Sequence, residues 1–311
     1  MRKLKVAILG AGRIGKYHAR EFAGLGAKVT AILGSTKESS LRTAEKLEEE
    51  FNIHVNPYPL LKELLANENL DIVSICTPPE MHQSQIIKCL ERGLHVMCEK
   101  PLVQDSGNNY ETARNLFGLA EERKRLLTVN TQWASIADYL RGYEDFSNLR
   151  TFSVYMEPDK EGVNMLPDHL PHANSVLIKL IPNGKAREIE FLPITDDSIK
   201  VRFLYENQKI TCKVDYDFKP RVKNPGQIVF SLNGRQFKRE IGPGYKQVFV
   251  SDEIRFGIED PLRVSIDKFL GTLKGSNTLL VNKKEILENI FLAEQIISEY
   301  ASQNIKAYKA K

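Results

Sequence analysis

Apolar and polar positions follow two rhythms along the chain, and the change between them divides it. From residue 5 to about 130, short apolar runs alternate with segments whose apolar residues recur at helical spacing. Lys5–Leu9 (KVAIL) reads as a buried strand, and KYHAREFAGL after it as a helix. Residues 27–33 give a second strand, 39–51 a helix and 58–67 a shorter one. Residues 70–76 (LDIVSIC) are almost continuously apolar, as in a central parallel strand. A helix over 80–92 stops at Gly93, a strand covers 94–98, a helix 106–124 and a strand 126–130. After about residue 148 the period drops to two. Residues 150–157, 188–192, 199–205, 210–218 and 227–232 read as alternating strands. Asn233-Gly234 offers a hairpin turn between two such runs. One helix, 168–180, interrupts them, with Pro171 expected in its first turn. Helices over 261–273 and 283–300 close the chain.

This pattern predicts an α/β protein. A Rossmann-type, doubly wound parallel sheet over 1–125 precedes an α+β domain over 126–311 with a mostly antiparallel, open-faced sheet. An open sheet face has to be solvated or covered by a partner, so a homo-oligomer, a dimer in the first instance, is expected through it.

In a doubly wound sheet, ligands lie at the carboxyl ends of the strands. Four such ends carry chemistry here. The first is Gly10-Ala11-Gly12-Arg13-Ile14-Gly15, a G-x-G-x-x-G between strand and helix. Gly10 allows the tight turn, Gly12 lets backbone approach a pyrophosphate and Gly15 lets helix pack on strand. The helix N-terminus then offers N–H groups to phosphate. The second is Gly34-Ser35-Thr36-Lys37, where an acidic residue usually holds the ribose 2′-OH. Without that carboxylate, and with Ser35, Thr36, Lys37 and Arg42 at hand, the loop favours NADP over NAD. Ser35 and Thr36 also suit a simple cap for the next helix, and both readings can hold together. The third and fourth ends are Thr77-Pro78-Pro79 and Glu99-Lys100-Pro101.

Composition adds limits. The chain has 311 residues, 42% of them hydrophobic and 27% charged, which suits an ordinary globular protein of about two domains. The net charge of +4 is unclustered, so nucleic acid is not an expected partner. Cys76, Cys89, Cys98 and Cys212 have no metal-like spacing; they are expected to be reduced, and no metal is expected. The opening MRKLKVAILGAG runs straight into the glycine motif, and no apolar stretch reaches about 18 residues. No leader or membrane span is expected, and a cytoplasmic location is.

Lys100 at a strand end suits either catalysis or an ion pair with Glu99. Asp168 and His172 are spaced i, i+4 on one helix face, where an Asp can orient a His that shuttles a proton. Capping by Asp168 and packing by His172 is the other reading, and His169 lies one position off that face.

Together these residues resemble the Gfo/Idh/MocA family of NAD(P)-dependent oxidoreductases. The run Gly10–Ala19, the loop Thr77-Pro78-Pro79 with His82, the run Gly93–Leu102 with its Glu-Lys-Pro triplet, and the late Asp260-Pro261-Leu262 carry the likeness. The resemblance implies hydride transfer between nicotinamide and a carbon bearing a hydroxyl or carbonyl oxygen, on a sugar, polyol or related small molecule. It implies that Lys100 hydrogen-bonds the reacting oxygen and the cofactor ribose, that His172 is the general acid/base and that Asp168 is its partner or a substrate ligand. It makes Thr77, Pro78, His82 and Glu99 cofactor-side residues and Gln132 and Trp133 substrate-side ones, although Trp133 fits plain core equally well. It also implies dimers or tetramers through the second sheet. The sequence departs from the family pattern in lacking a glycine-rich lead-in before Asp168, in Ser175 where an acidic residue is common, and in lacking an Arg near Trp133. Two other readings share the fold: a non-catalytic NAD(P)-binding regulator, and a reductase of an imine or enone.

Overall fold

The computed structural model describes residues 2–104, 107–192, 197–252 and 254–309. They form two compact units, residues 1–130 with 262–283, and 131–261 with 284–311.

The first unit is a parallel sheet flanked by helices. In chain order it contains β1 (Lys5–Leu9), α1 (Arg13–Gly24), β2 (Lys28–Leu33), α2 (Lys37–Phe51), β3 (Asn56–Tyr58), α3 (Leu61–Asn67), β4 (Ile72–Ile75), α4 (His82–Glu91), β5 (His95–Glu99), α5 (Asn109–Glu122) and β6 (Leu127–Asn130). The strand order is β3-β2-β1-β4-β5-β6, with every pair parallel. The order reverses between β1 and β4, the switch point where such sheets bind ligands. Val6, Ile8, Ile72 and Val73 are fully buried because helices cover both faces. The expected helix over 58–67 starts later, since Tyr58 ends the edge strand β3; Pro57 is tolerated there because one side of an edge strand needs no N–H. Ser106, the expected first residue of α5, lies outside the described residues.

The boundary expected at 125/126 falls instead after Asn130, because β6 pairs with β5. Residues 262–283 also return to this unit. Leu262, Ile266, Phe269 and Leu270 form one apolar stripe, and it joins the core of Val6, Ile8 and Phe22.

The second unit contains a 3-10 turn (Gln132–Ser135), α6 (Ile136–Leu140), β7 (Thr151–Met156), α7 (Met165–Leu180), β8 (Lys185–Leu192), β9 (Ile199–Glu206), β10 (Thr211–Phe218), β11 (Ile228–Leu232), β12 (Arg235–Ile241), β13 (Gln247–Ser251) and β14 (Ile254–Ile258). Helix α8 (Pro261–Leu273) belongs mainly to the first unit, and α9 (Lys283–Lys309) to the second. The eight strands run β14-β13-β12-β11-β7-β10-β9-β8, with only β7 and β10 parallel. Alternation sorts the residues. Phe152, Val154, Val214, Tyr216, Phe203 and Phe230 face inward with α7, while Arg202 and Asp215 pair at 2.8 Å on the other face. Asn233 and Gly234 make the expected hairpin turn, both at positive φ (50° and 88°). Helix α7 begins at Met165, earlier than expected, because Met165 and Leu166 add two buried apolar positions. Pro171 therefore lies in its second turn rather than its first, and Asn289 donates to the Pro171 carbonyl at 2.7 Å.

Candidate active site

At the end of β1, Gly10 has φ +118°, and a Cβ there would lie 2.5 Å from the Cys76 carbonyl oxygen; a Cβ on Gly15 would collide with the Gly10 carbonyl. Both glycines are set by backbone contact. Gly12 differs: a Cβ there would meet nothing within 4 Å. It points into open space in front of α1, whose first turn no side chain caps. An open cradle at an uncapped helix start fits a diphosphate. Arg13 and Ile14 flank it on the exposed side.

At the end of β2, Thr36 caps α2. Its hydroxyl accepts from Ser39 N at 3.1 Å, and Thr36 N donates to the Ser39 hydroxyl at 3.0 Å. Ser35 and Lys37 are exposed beside this cap.

The ends of β4 and β5 are tied together by His82. Its ring is fully buried, with Nδ1 2.8 Å from the Pro101 carbonyl and Nε2 2.8 Å from the Thr77 carbonyl. Both ring nitrogens are thereby engaged. His82, expected as a cofactor-side residue, is a clamp that holds the Thr77-Pro78-Pro79 loop against Lys100-Pro101. Thr77 also donates to Gln85 at 2.7 Å. Glu99 is likewise turned to the protein. Its Oε1 receives His18 Nε2 at 2.8 Å and Asn130 Nδ2 at 2.6 Å, while His18 Nδ1 meets the Ser74 hydroxyl at 2.8 Å. Burial works to lower the pKa of His18, but Cys76 and the Glu99 carboxylate outweigh it and raise it to about 10. Burial works to raise that of Glu99, yet His18, Asn130 and Lys100 bring it down to about 2. Both groups are charged across the ordinary pH range. Lys100, half-buried, follows this pair directly.

In the second unit, Asp168, His169 and His172 stand at the start of α7. Asp168 Oδ2 pairs with Nδ1 of the adjacent His169 at 3.1 Å. The two imidazoles meet edge to face with centroids 6.1 Å apart, and His169 lies 6.0 Å from Phe218. His172 is the more buried of the two, and Ser175 donates to its carbonyl at 2.7 Å. His169 thus joins the cluster that sequence spacing had confined to Asp168 and His172. Trp133 is buried, with its ring centroid 6.4 Å from those of Phe230 and Phe249. It is core on that side; on its other neighbour it carries the Arg239 guanidinium, 5.3 Å from its ring centroid. Gln132 precedes it, half-buried.

Sequence reasoning assigned no role to His18, Ser74 or Asn130. The available signal was a histidine on the apolar face of α1, where burial demands a partner. Among the described residues, no group of three or more His, Cys, Asp or Glu side chains is arranged to hold a metal ion, and no helix is long and apolar enough to cross a membrane.

The model of the GFO_IDH_MocA family, "Oxidoreductase family, NAD-binding Rossmann fold", matches residues 4–131. An uncharacterized oxidoreductase of Schizosaccharomyces pombe is 30% identical over 154 residues, 50% of this chain and 40% of its own length. The UDP-N-acetylglucosamine 3-dehydrogenase of Acidithiobacillus ferrooxidans is 30% identical over 126 residues, 40% of this chain and 36% of its own. An inositol 2-dehydrogenase of Rhodococcus erythropolis is 33% identical over 111 residues, 34% of this chain and 30% of its own. These matches span less than half the length of each relative. The solved structure of the Acidithiobacillus enzyme shares the fold, with a TM-score of 0.71 at 17% identity, covering 96% of this chain and 98% of that one. Residues 4–131 thus match the Gfo/Idh/MocA oxidoreductase family, whose model describes an NAD-binding Rossmann fold.

Proposed function

We propose that the protein is an NADP-preferring dehydrogenase or reductase of a small hydroxy or oxo compound of the sugar or polyol kind. The observation that carries this is the open cradle at Gly12, on the switch point of a sheet in which β5, two strands from β1, ends just before Lys100. Gly10, Gly12, Arg13, Ile14 and Gly15 hold the diphosphate through backbone N–H groups and the α1 dipole. Ser35, Thr36 and Lys37 receive a 2′-phosphate; Gly34 to Lys37 carry no carboxylate, and the charge of Glu38 just beyond them is offset by Lys37 and Arg42. The bound cofactor supplies the acceptance and release of hydride. Lys100 donates to the reacting oxygen and stabilises charge that develops on it. His172 takes the hydroxyl proton in oxidation and returns it in reduction. Asp168 holds the imidazole charge in balance, and Gln132 and Trp133 face the substrate.

The relatives support the substrate class, since their names include inositol and UDP-N-acetylglucosamine dehydrogenases. A homodimer through the outer face of the eight-stranded sheet belongs to the same reading, supported by half-buried Tyr155, Val229, Val248 and Val250 there. So does a reducing, cytoplasmic location, supported by four free cysteines.

Fluorescence titration with NADPH and NADH tests the cofactor half. NADPH is expected to bind about tenfold more tightly, and Lys37→Ala to lose most of that margin. Turnover on sugars and polyols tests the rest. Lys100→Met and His172→Asn are each expected to lower kcat by at least about a hundredfold. Cofactor binding with no turnover, or turnover that survives both changes together, overturns the assignment.

A further inference from the structure

One half-buried cation in the second unit has only neutral partners. Arg239, on β12, donates through Nη2 to the Gly226 carbonyl and through Nη1 to Gln247 Oε1 at 3.5 Å. Its guanidinium lies over the Trp133 ring. Among the described residues, no carboxylate lies within ion-pair distance of it. Other arginines of the same sheet behave differently: Arg202 pairs with Asp215, and Arg255 with Glu240, both at 2.8 Å. Glu157 is near enough for its charge to be felt at Arg239. Its oxygens, however, already accept from Gln227 N at 2.8 Å and from the Tyr155 hydroxyl at 2.9 Å.

A guanidinium has five N–H groups, and here two are used. Among the described residues Nε has no acceptor, yet it is not sealed from solvent. A charge partly withdrawn from water, held over an indole and left with open donors is a ready partner for an anion.

Its place in the sheet matters. Phe218 pairs with Met156, Met156 with Ile228, and Arg239 with Phe249. Val229 pairs with Lys238, which brings Ile228 beside Arg239. These residues form one row across the inner face, and the His169 ring lies at its Phe218 end. Three strand spacings, about 14 Å, separate β10 from β12. The 3-10 turn that carries Trp133 packs on α7, the helix of Asp168 and His172.

We propose that Arg239, backed by Trp133, is the subsite for an anionic group of the substrate, either a carboxylate or a phosphate. The inference rests on the second unit being the substrate-binding part of an oxidoreductase, and it narrows the substrate to an acidic or phosphorylated relative of a sugar or polyol. A guanidinium fork meets either anion with two parallel hydrogen bonds, which a neutral hydroxyl cannot match.

Trp133 is the only tryptophan, so its fluorescence reports on this position. The cofactor-free protein is titrated with D-glucuronate, with glucose 6-phosphate and with glucose, at constant ionic strength. A saturable change with glucuronate or glucose 6-phosphate and none with glucose is expected, and whichever acts identifies the anion. Arg239→Gln is expected to weaken that response at least tenfold, roughly the worth of one charge-assisted hydrogen bond, and Arg239→Lys to fall between. Thermal unfolding checks that each variant is folded. Should Arg239→Gln not fold, the Lys variant carries the comparison. No saturable response to either anion, or a response unchanged in the folded variants, overturns the proposal. Because no cofactor is present, failure here leaves the dehydrogenase reading untouched, and failure of NADPH to bind leaves this result standing.

Discussion

Each unit of the protein sets a histidine against a carboxylate, and the two pairs live in opposite surroundings. His18 and Glu99 meet at 2.8 Å, with side chains 0% and 16% exposed. Asp168 and His169 meet at 3.1 Å, with side chains 29% and 18% exposed. The first pair is also bound by Ser74 and Asn130, so neither partner has freedom to exchange a proton with a ligand. Its charges are fixed by mutual contact, and what it can do is hold the end of β5, and hence Lys100, in place. The second pair keeps partial access to solvent, and a second imidazole, that of His172, lies with its centroid 6.1 Å from that of His169. The same two functional groups are thus locked to one another when sealed and left within reach of solvent when open.

Breaking the sealed pair is expected to have the largest effect. His18→Gln leaves Glu99 as a buried charge without its cation, a change that costs about 3 kcal/mol. The loss depends on pH. The folded pKa of His18 is raised to about 10, so its stabilisation is complete below about pH 6.5, the unfolded value, and fades as pH rises through 10. That of Glu99 is lowered to about 2, so its share is complete above about pH 4.5 and fades as pH falls through 2. Urea unfolding of wild type and His18→Gln is therefore expected to differ most between about pH 4.5 and 6.5 and much less near pH 10. A gap that does not shrink at high pH would mean that the pair is not charged.

Opening the comparison from the other side gives a smaller effect of a different kind. Asp168→Asn is expected to change stability by less than about 0.5 kcal/mol, as for other partly exposed pairs. It is expected to lower kcat about tenfold, with a shifted pH profile. Equal losses of stability in Asp168→Asn and His18→Gln would erase the distinction drawn here. The smallest effect belongs to a site with no histidine. Thr36→Ala removes the α2 cap and costs about 1 kcal/mol by thermal unfolding. If NADPH affinity falls as well, the cap residue also touches the cofactor.

Much of this was legible in the chain, for physical reasons that differ from place to place. The span of β1 could be read residue for residue, because an apolar run ending in G-x-G-x-x-G has only local requirements. The helix Pro261–Leu273 was legible as a helix but not as part of the first unit, since its stripe shows that it is buried without showing against what. Strand β3 was missed because three residues give no period to count. His18 was invisible as an anchor because Glu99 lies 81 residues away and Asn130 further still, and no local pattern links them. Arg239 carried no signal in the chain, since the want of a carboxylate around it, among the described residues, exists only in three dimensions.

The return of residues 262–283 to the first unit has a consequence for how the protein is made. A ribosome that has released residues 1–130 has delivered all six parallel strands, but not the helix whose Ile266 and Phe269 complete their core beside Phe22. That face stays uncovered while more than a hundred further residues are synthesised. During this interval the nascent chain presents an apolar surface of the kind that chaperones bind and that drives aggregation. A fragment cut at residue 130 carries the same defect permanently and is expected to be less stable and more prone to aggregate than the whole first unit.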